Sequence, residues 1–367
     1  MIDAEQLASV IERRAKFAVL CARVEEVEPM LPDGCASLMP VDGPYHGQKG
    51  DAWDNEHKTA ADFLRWKGER YAAWRRILAP NGTIYDFASP AMGARTEIAM
   101  REHFEVLCNI RWQKPKGATK AEMFVKEDLR APFPASETII MAEQLGSDSI
   151  ALGESRYGAK CDELRGFVFE PIRAYLDGER ERSGFTRADV DRMLGNQMSG
   201  HYFSRVQWAL PTEDNYKRLQ AALNGKSDEF LRTQYEELRT QYEELRRPYY
   251  LSADVPYTDV WTYDTVQTYD GKHLCEKPRD MAADMVRASS RVDDLVLVFF
   301  AGSGIFAAEA LAQGRRVIAV EADPYWAERT RRACEAAVEH GVADMKRIAR
   351  TTPKNQPAPT GQAAFQW

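Results

Sequence analysis

The sequence predicts an α/β protein built on a mostly parallel sheet, and three observations support this class. Apolar segments typical of strands alternate with amphipathic segments typical of helices. The segment 295–304, Leu-Val-Leu-Val-Phe-Phe-Ala-Gly-Ser-Gly, has the pattern of an apolar strand followed by a glycine turn. After one helix, a second apolar strand within 315–323 ends in Glu321. This order predicts the βαβ unit of a nucleotide-type cofactor site.

Further strands and helices are predicted from the spacing of apolar residues. Short apolar runs between turn residues predict strands, and apolar residues three and four positions apart predict helices. The strand over 35–41 delivers Asp42 to its carboxyl end. The predicted strands are 17–20, 35–41, 83–88, 104–112 and 137–142, and the helices among them are 59–78 and 94–103.

The glycine turn and the acid after the second strand indicate a ligand site. Gly302 and Gly304 allow the backbone to turn sharply and to approach a ligand, and Glu321 can accept hydrogen bonds from two ribose hydroxyls. The chain contains neither G-x-G-x-x-G nor G-x-x-x-x-G-K-[ST], so the dinucleotide and P-loop fingerprints are absent. An ordinary strand–helix turn is the alternative interpretation of these glycines.

Composition limits the class of protein. The 367 residues, 44% of them hydrophobic, suffice for one large or two ordinary domains. No run of 18 apolar residues and no signal-peptide pattern occurs, so we expect a cytoplasmic protein without a membrane span. The six cysteines include no C-x-x-C pair, which favours reduced thiols and no metal site. A net charge of −7 still permits DNA binding through a local basic surface.

The pattern changes between about residues 113 and 250, where polar helical segments dominate. A helix capped by Thr186 is predicted over 185–194, and Gly195 separates it from a second helix over 197–208. Helix, short glycine turn and helix form the helix-turn-helix signature, whose second helix enters the major groove of DNA. A plain packing unit of helices is the alternative interpretation.

A duplicated heptad, Thr-Gln-Tyr-Glu-Glu-Leu-Arg, occupies 233–239 and 240–246. Its apolar residues recur at the alternating spacing of a coiled-coil seam, which predicts a helix over about 229–247. Because so short a seam is marginal alone, the helix either packs within the chain or forms a homodimer. The tail after Thr351 is predicted to be disordered.

Three segments, in this order along the chain, resemble the motifs of a known family. They are Asp42-Gly-Pro-Tyr45 after a strand, His273-Leu-Cys-Glu-Lys-Pro278, and Phe300-Ala-Gly-Ser-Gly304. The set resembles the β-class amino-methyltransferases of DNA, whose adenine enzymes have Asp-Pro-Pro-Tyr as the first segment. The greatest similarity is to phage- and prophage-type adenine methylases, which have a long insert before a stretch like Val255 to Thr262.

The resemblance implies a Rossmann-like methyltransferase sheet with a circularly permuted motif order and an inserted, mostly helical target-recognition region. The implied parts are a catalytic half over 1–112, an insert over 113–250 with the helix-turn-helix-like segment at about 185–210 and the heptad helix at about 229–247, a cofactor-binding half over 251–350, and the tail 351–367.

The resemblance also implies roles for the site residues. The Asp42 carboxylate and the Gly43 carbonyl would accept hydrogen bonds from both hydrogens of an exocyclic amine. Tyr45, which follows Pro44 in this catalytic loop, would stack on a base flipped out of double-stranded DNA. The methyl donor would be S-adenosylmethionine, and the implied cofactor residues are Phe300, Ala301, Gly302, Ser303, Gly304, Glu321, His273, Cys275 and Lys277.

Double-stranded DNA is the implied partner. The candidates to face it on the predicted second helix are Asn196, Gln197, Ser199, His201, Ser204 and Arg205. The basic segment 111–126 adds Lys114 and Lys116, although a solvated loop explains these lysines equally well. Two site residues also have ordinary explanations, Lys277 as a surface lysine and Asp323 as the cap of a following helix.

The leading hypothesis is therefore an S-adenosylmethionine-dependent DNA adenine N6-methyltransferase. Asp42, rather than a serine, favours adenine over the alternative substrate, the N4 amine of cytosine. Two positions depart from the family pattern: Gly43 replaces a proline, and Val298 replaces an acid that meets the amino group of the cofactor. They leave a third hypothesis, a catalytically impaired, sequence-specific DNA-binding or regulatory protein.

Overall fold

The computed structural model describes residues 3–47, 56–115, 130, 132, 134–144, 170–204, 208–225, 229–245, 248–250, 255 and 258–353. Contacts divide the chain into two units, Met1–Asp148 with Pro248–Trp367, and Ser149–Arg247. The second unit is shorter than the insert predicted over 113–250, because residues 136–143 form a strand of the sheet in the first unit.

The first unit contains an eight-stranded sheet within its described residues. Its strands are β1 (Phe17–Cys21), β2 (Ala36–Val41), β3 (Leu78–Ala88), β4 (Glu105–Gln113), β5 (Ser136–Glu143), β6 (Val260–Thr262), β7 (Leu295–Phe299) and β8 (Arg316–Glu321). They lie in the order β1-β8-β7-β2-β3-β5-β4-β6. Neighbours pair in parallel, except that β5 runs antiparallel to β3 and β4. The predicted mostly parallel sheet is confirmed.

The described α-helices alternate with these strands in the first unit and form the second unit. They are α1 (Ala4–Ile11), α2 (Val24–Val27), α3 (Ala60–Ile77), α4 (Gly93–Arg101), α5 (Glu170–Arg182), α6 (Arg187–Leu194), α7 (Ser199–Phe203), α8 (Glu213–Leu223), α9 (Tyr235–Leu245), α10 (Arg279–Ser289), α11 (Ile305–Ala312), α12 (Pro324–His340) and α13 (Met345–Thr351). Helices α5 to α9 belong to the second unit.

Strand β7 is buried on both faces of the sheet. Val296 and Val298 belong to a core cluster with residues of α10, α11 and α12. Leu295, Leu297 and Phe299 belong to the opposite cluster, with residues of α1 and α3. A parallel strand covered on both faces needs such a continuous apolar run. Strand β7 itself therefore contributes apolar packing to both core clusters.

Helix α6 in the second unit begins and ends where the sequence predicts. The Thr186 side chain caps its first turn, and Gly195 ends it in the left-handed conformation with a φ of 71°. The prediction of a second helix over 197–208 is wrong in length, since α7 has only five residues. Buried Tyr202 packs into the core of the unit, and the backbone becomes extended at Ser204, which ends the helix.

The heptad helix packs within its own unit. Helix α9 is shorter than the predicted 229–247 because Leu231 lies outside it, with a φ of 50°. Tyr235, Leu238 and Tyr242 pack into the core cluster of the second unit. This side of the heptad seam is covered inside the chain, and a homodimer stays a prediction.

Two absences apply to the part of the chain that the structure describes. No helix there has the length and apolarity needed to cross a bilayer. No cluster of three His, Cys, Asp or Glu side chains there could hold a metal ion. The predicted disordered tail lies outside the described residues from position 354 onward.

Candidate active site

The Asp42 loop and the glycine turn meet at one edge of the sheet. They follow β2 and β7, which are neighbouring parallel strands, so both loops leave the sheet at its carboxyl edge. The loops touch, because a Cβ atom added to Gly43 would lie 3.1 Å from two ring carbons of Phe300. The absence of a side chain at Gly43 thus gives room to this ring.

Asp42 is held by two donors on the same oxygen. Its Oδ1 accepts hydrogen bonds from Lys277 Nζ at 2.6 Å and from the Tyr45 hydroxyl at 3.0 Å. Lys277 is only 4% exposed, which excludes the alternative of a surface lysine. Burial raises the pKa of the Asp42 carboxyl, and the nearby ammonium offsets only part of this effect. Burial, the largest single effect, would lower the pKa of Lys277, but Asp42, Glu137 and Cys275 together outweigh it and the pKa is raised.

Glu137 is a site residue that the sequence analysis missed. It is the second residue of strand β5, and its Oε2 accepts a hydrogen bond from the Tyr45 hydroxyl at 2.9 Å. Its Oε1 accepts one from Lys114 at 2.6 Å, and Lys277 Nζ lies 3.6 Å from Oε2. Burial would raise the pKa of Glu137, but the two lysines outweigh it and lower the pKa. Because β5 is antiparallel, its start lies at the carboxyl edge of its neighbours.

Lys114, a predicted DNA-facing residue, has a partner within the candidate site, and its contact with DNA stays a prediction. Its ammonium is paired with Glu137, and it lies 5.2 Å from the centre of the Trp112 ring. The side chain is 26% exposed, so it belongs to the edge of the candidate active site. Lys116, the other lysine predicted from this segment, lies outside the described residues.

A narrow crevice adjoins the Asp42 loop on the side of α3 and α4. It is too tight to admit a water molecule. Its lining is mostly apolar and aromatic and consists of Pro44, Tyr45, Phe63, Lys67, Phe87, Ala88, Met92 and Thr96. Lys67 forms an ion pair with Asp86 there, and the side chains of both residues are at most 1% exposed. The loop therefore rests on a packed layer with one buried ion pair.

The glycine turn is fixed by its neighbours. Gly304 has a φ of 86°, and a Cβ atom there would lie 2.8 Å from the Cα of Thr330 in helix α12. Gly302 has a φ of 52°, and its Cβ would lie 3.2 Å from the ring of His273. A side chain at Gly304 would collide with the backbone of α12, and one at Gly302 would crowd the His273 ring, both at a positive φ that favours glycine. The turn thus keeps helix α11 close to α12, and its two glycines leave the backbone of the turn without side chains.

Glu321, which the sequence analysis assigned to the same site as the glycine turn, is hydrogen-bonded to that turn. Its carboxylate accepts the backbone N–H of Gly302 at 2.8 Å and that of Asp323 at 3.0 Å. Burial raises the pKa of Glu321, while these N–H groups act in the opposite direction. A carboxylate has about four acceptor positions, so acceptor capacity remains for ligand hydroxyls. Asp323 has the predicted alternative role, since it caps helix α12.

The segment 273–278 joins the two loops. The His273 ring lies edge-on to Trp326, with ring centres 4.5 Å apart, and beside Gly302. Burial, with a smaller effect of Lys277, lowers the pKa of His273 to about 4, so the ring is neutral near pH 7. The Cys275 N–H donates to His273 Nδ1 at 3.3 Å. One short segment thus places His273 on the glycine turn and Lys277 on Asp42.

Gly304→Ala is expected to lower the free energy of unfolding by about 1–3 kcal/mol or more. The added Cβ would meet the backbone of α12 in addition to the strain of a positive φ. Gly341→Ala is the matched control, because its φ is 69° and no atom lies within 4 Å of the added Cβ. Urea unfolding measures both variants, and equal losses would contradict a steric role for Gly304.

Val298 lies in the core of the sheet, one residue before the end of strand β7. It is 1% exposed and packs in the cluster of α10, α11 and α12. Val298→Asp is therefore expected to lower the free energy of unfolding by about 3–5 kcal/mol, as an unpaired buried charge does. Val298→Thr, which keeps the shape without a charge, should cost less in the same urea titration. An unchanged midpoint for Val298→Asp would show that the carboxylate reaches a partner.

The predicted DNA-facing residues of the second unit differ in accessibility. Asn196 and Gln197 are exposed, while His201 and Ser204 are half-buried. Ser199 is buried, and its backbone N–H and its hydroxyl donate to the Asp191 carboxylate, so it is not presented to a partner. The described part of this unit has 13 Asp and Glu against nine Lys and Arg. Arg205 lies outside the described residues.

Comparison with known proteins gives a family match and similar structures. The model of the N6/N4 methylase family, described as DNA methylase, matches residues 37–332. No curated protein matches the sequence. Among solved structures, the cytosine-N4-specific PvuII DNA methyltransferase is 11% identical, with coverage of 92% of this chain and 93% of that chain and a TM-score of 0.49. M1.HpyAVI in complex with S-adenosylmethionine is 12% identical, with coverage of 86% and 98% and a TM-score of 0.47.

Proposed function

This chain belongs to the N6/N4 DNA methylase family, and we propose that it transfers a methyl group from S-adenosylmethionine to the N6 amine of an adenine flipped out of double-stranded DNA. The observation that carries the proposal is the contact between the Asp42 loop and the glycine turn. It brings an acceptor for an amine next to a cofactor-type turn. A stand-alone, phage-type modification enzyme is the form that we propose.

The residues around the glycine turn fit S-adenosylmethionine. When bound, this cofactor supplies a methyl group that its sulfonium already activates. Glu321 keeps acceptor capacity for the ribose hydroxyls, and the glycine turn presents backbone without side chains. His273, with a pKa of about 4, is neutral and adds no positive charge beside a sulfonium.

The chain's own residues can then prepare the amine. Both contacts of Asp42 fall on Oδ1, and within the described residues no donor bonds to Oδ2. We propose that Oδ2 and the Gly43 carbonyl accept the two amine hydrogens, which directs the nitrogen lone pair toward the methyl group. Reaction then depends mainly on alignment. Asp42 is the nearest group to take the proton that the amine loses.

Tyr45 would compensate for the cost of base flipping. Unstacking a base costs a few kcal/mol, and stacking on an aromatic ring returns about 1–3 kcal/mol. The crevice beside Tyr45 is closed in this structure, so the side chains that line it must move when a base enters. We further propose that the second unit provides target recognition, with Asn196 and Gln197 as its exposed candidates.

One experiment separates the three hypotheses. The purified chain is incubated with methyl-labelled S-adenosylmethionine and mixed-sequence double-stranded DNA, and the DNA is digested to nucleosides. Label on N6-methyladenine supports the proposal. The reason for expecting adenine is the presence of Asp42 rather than a serine in the first motif segment. Label on N4-methylcytosine would replace it with the cytosine reaction. Sequence-specific retention of DNA without label would identify a binding or regulatory protein.

A further inference from the structure

We propose that Glu137 is a positioning residue of the active site, which sets the proton affinity of Asp42 through Tyr45 and Lys277. The inference rests on the proposed function only for its kinetic consequence. Its structural basis is a group of three charged side chains around the Tyr45 ring, Asp42, Glu137 and Lys277, with Lys114 bonded to Glu137. Glu137 lies outside the three segments that carry the family resemblance.

The Tyr45 hydroxyl lies between two carboxylates. Its oxygen is 3.0 Å from Asp42 Oδ1 and 2.9 Å from Glu137 Oε2. A hydroxyl has one proton, so it can donate to only one carboxylate at a time. A bond to Glu137 therefore removes this donor from Asp42. The same bond fixes the orientation of the ring that would stack on the base.

Lys277 acts on both carboxylates through its charge. Its Nζ lies 2.6 Å from Asp42 Oδ1 and 3.6 Å from Glu137 Oε2, and it is almost fully buried. A charge in such a dry environment acts strongly on both partners. Glu137 draws part of this positive charge away from Asp42 and adds a negative charge nearby. Both effects favour the protonated form of Asp42.

The charges beyond Glu137 keep it ionised. Lys114, on the exposed side of the site, donates a hydrogen bond to Oε1 of Glu137 at 2.6 Å. The titratable and charged groups that face Asp42 within the described residues are Lys277, Glu137 and Tyr45, with Lys114 and Cys275 behind them. Glu137 is therefore the negative charge that opposes Lys277 at Asp42.

The test compares two substitutions with opposite expected signs. Asp42 acts as a carboxylate, so the rate falls as the pH drops through its pKa. Glu137→Gln removes a negative neighbour, lowers the pKa of Asp42, and moves the acidic limb of the single-turnover pH profile down by about one unit or more. Tyr45→Phe removes the hydroxyl that donates to Asp42 whenever it is not bonded to Glu137, and so moves that limb up. A purely structural role of Glu137 and Tyr45 would not shift the acidic limb in opposite directions in the two variants.

A second readout does not depend on catalysis. Carbon-13 NMR of labelled carboxyl groups follows the titration of Asp42 in the full chain without cofactor or DNA. Glu143→Gln is the matched control, because Glu143 ends the same strand at the opposite edge of the sheet. We expect Glu137→Gln to lower the Asp42 titration midpoint and Glu143→Gln to leave it unchanged.

The outcomes distinguish this inference from the proposed function. An inactive wild-type chain whose Asp42 midpoint still moves in Glu137→Gln would sink the proposed function and keep the inference. An active wild-type chain whose midpoint and pH profile are the same in Glu137→Gln would overturn the inference. Glutamine is isosteric with glutamate, so Glu137→Gln and Glu143→Gln are expected to fold. Thermal unfolding of both variants checks this.

Discussion

Asp42→Asn is expected to lower the rate of methyl transfer by about 10²–10⁴-fold while DNA binding stays within a few-fold. The amide keeps the shape of the side chain but loses the negative charge that accepts the amine hydrogens and the proton. Its oxygen must also satisfy the buried Lys277 ammonium, which lies 2.6 Å from Oδ1. Single-turnover transfer of labelled methyl groups measures the rate, and a filter-binding assay measures DNA affinity.

The matched control for this prediction is Asp293→Asn. Asp293 precedes the amino end of strand β7, so it lies at the opposite edge of the sheet from the glycine turn. Its φ of 66° suits asparagine, and its side chain is 37% exposed. This variant should retain the wild-type rate. Full activity in Asp42→Asn would refute the role that we assign to the loop, and Asp42→Ala would confuse the test by leaving Lys277 without its closest partner.

Asp86→Ala is expected to lower the free energy of unfolding of the first unit by about 3–5 kcal/mol. The two Asp86 oxygens accept from Lys67 Nζ at 2.7 and 2.9 Å, and the Tyr71 hydroxyl donates to the same carboxylate. All three side chains are buried. Truncating Asp86 leaves an ammonium in the core without a counter-charge, which is more costly than losing an exposed pair. Urea unfolding measures the loss.

Two further variants test the reason for this loss. Arg65→Ala removes a partner of Asp62 on the same helix, where the two side chains are 69% and 40% exposed, and it should cost less than about 1 kcal/mol. The double variant Lys67→Met and Asp86→Ala removes both charges and should recover part of the stability. A double variant as unstable as Asp86→Ala would show that packing, and not the unpaired charge, dominates.

The sequence by itself determined the class of fold and the two loops of the site. Continuous apolar runs such as Leu295 to Phe299 encode a strand buried on both faces, and the glycines after it encode a turn. The cap at Thr186 and the stop at Gly195 were also readable, because caps act on the adjacent turn of helix. These features depend on neighbours along the chain.

Only the tertiary structure decided which side chains share the site. Glu137 lies far from Asp42 along the chain, and it reaches the Tyr45 hydroxyl beside Asp42 because β5 runs antiparallel to its neighbours; Lys114 joins the group by pairing with Glu137. The residues of a strand do not indicate whether it runs parallel or antiparallel to its neighbours. They also do not indicate which face of the sheet Val298 packs on. Such assignments come from pairings between distant segments, which the order of residues does not display.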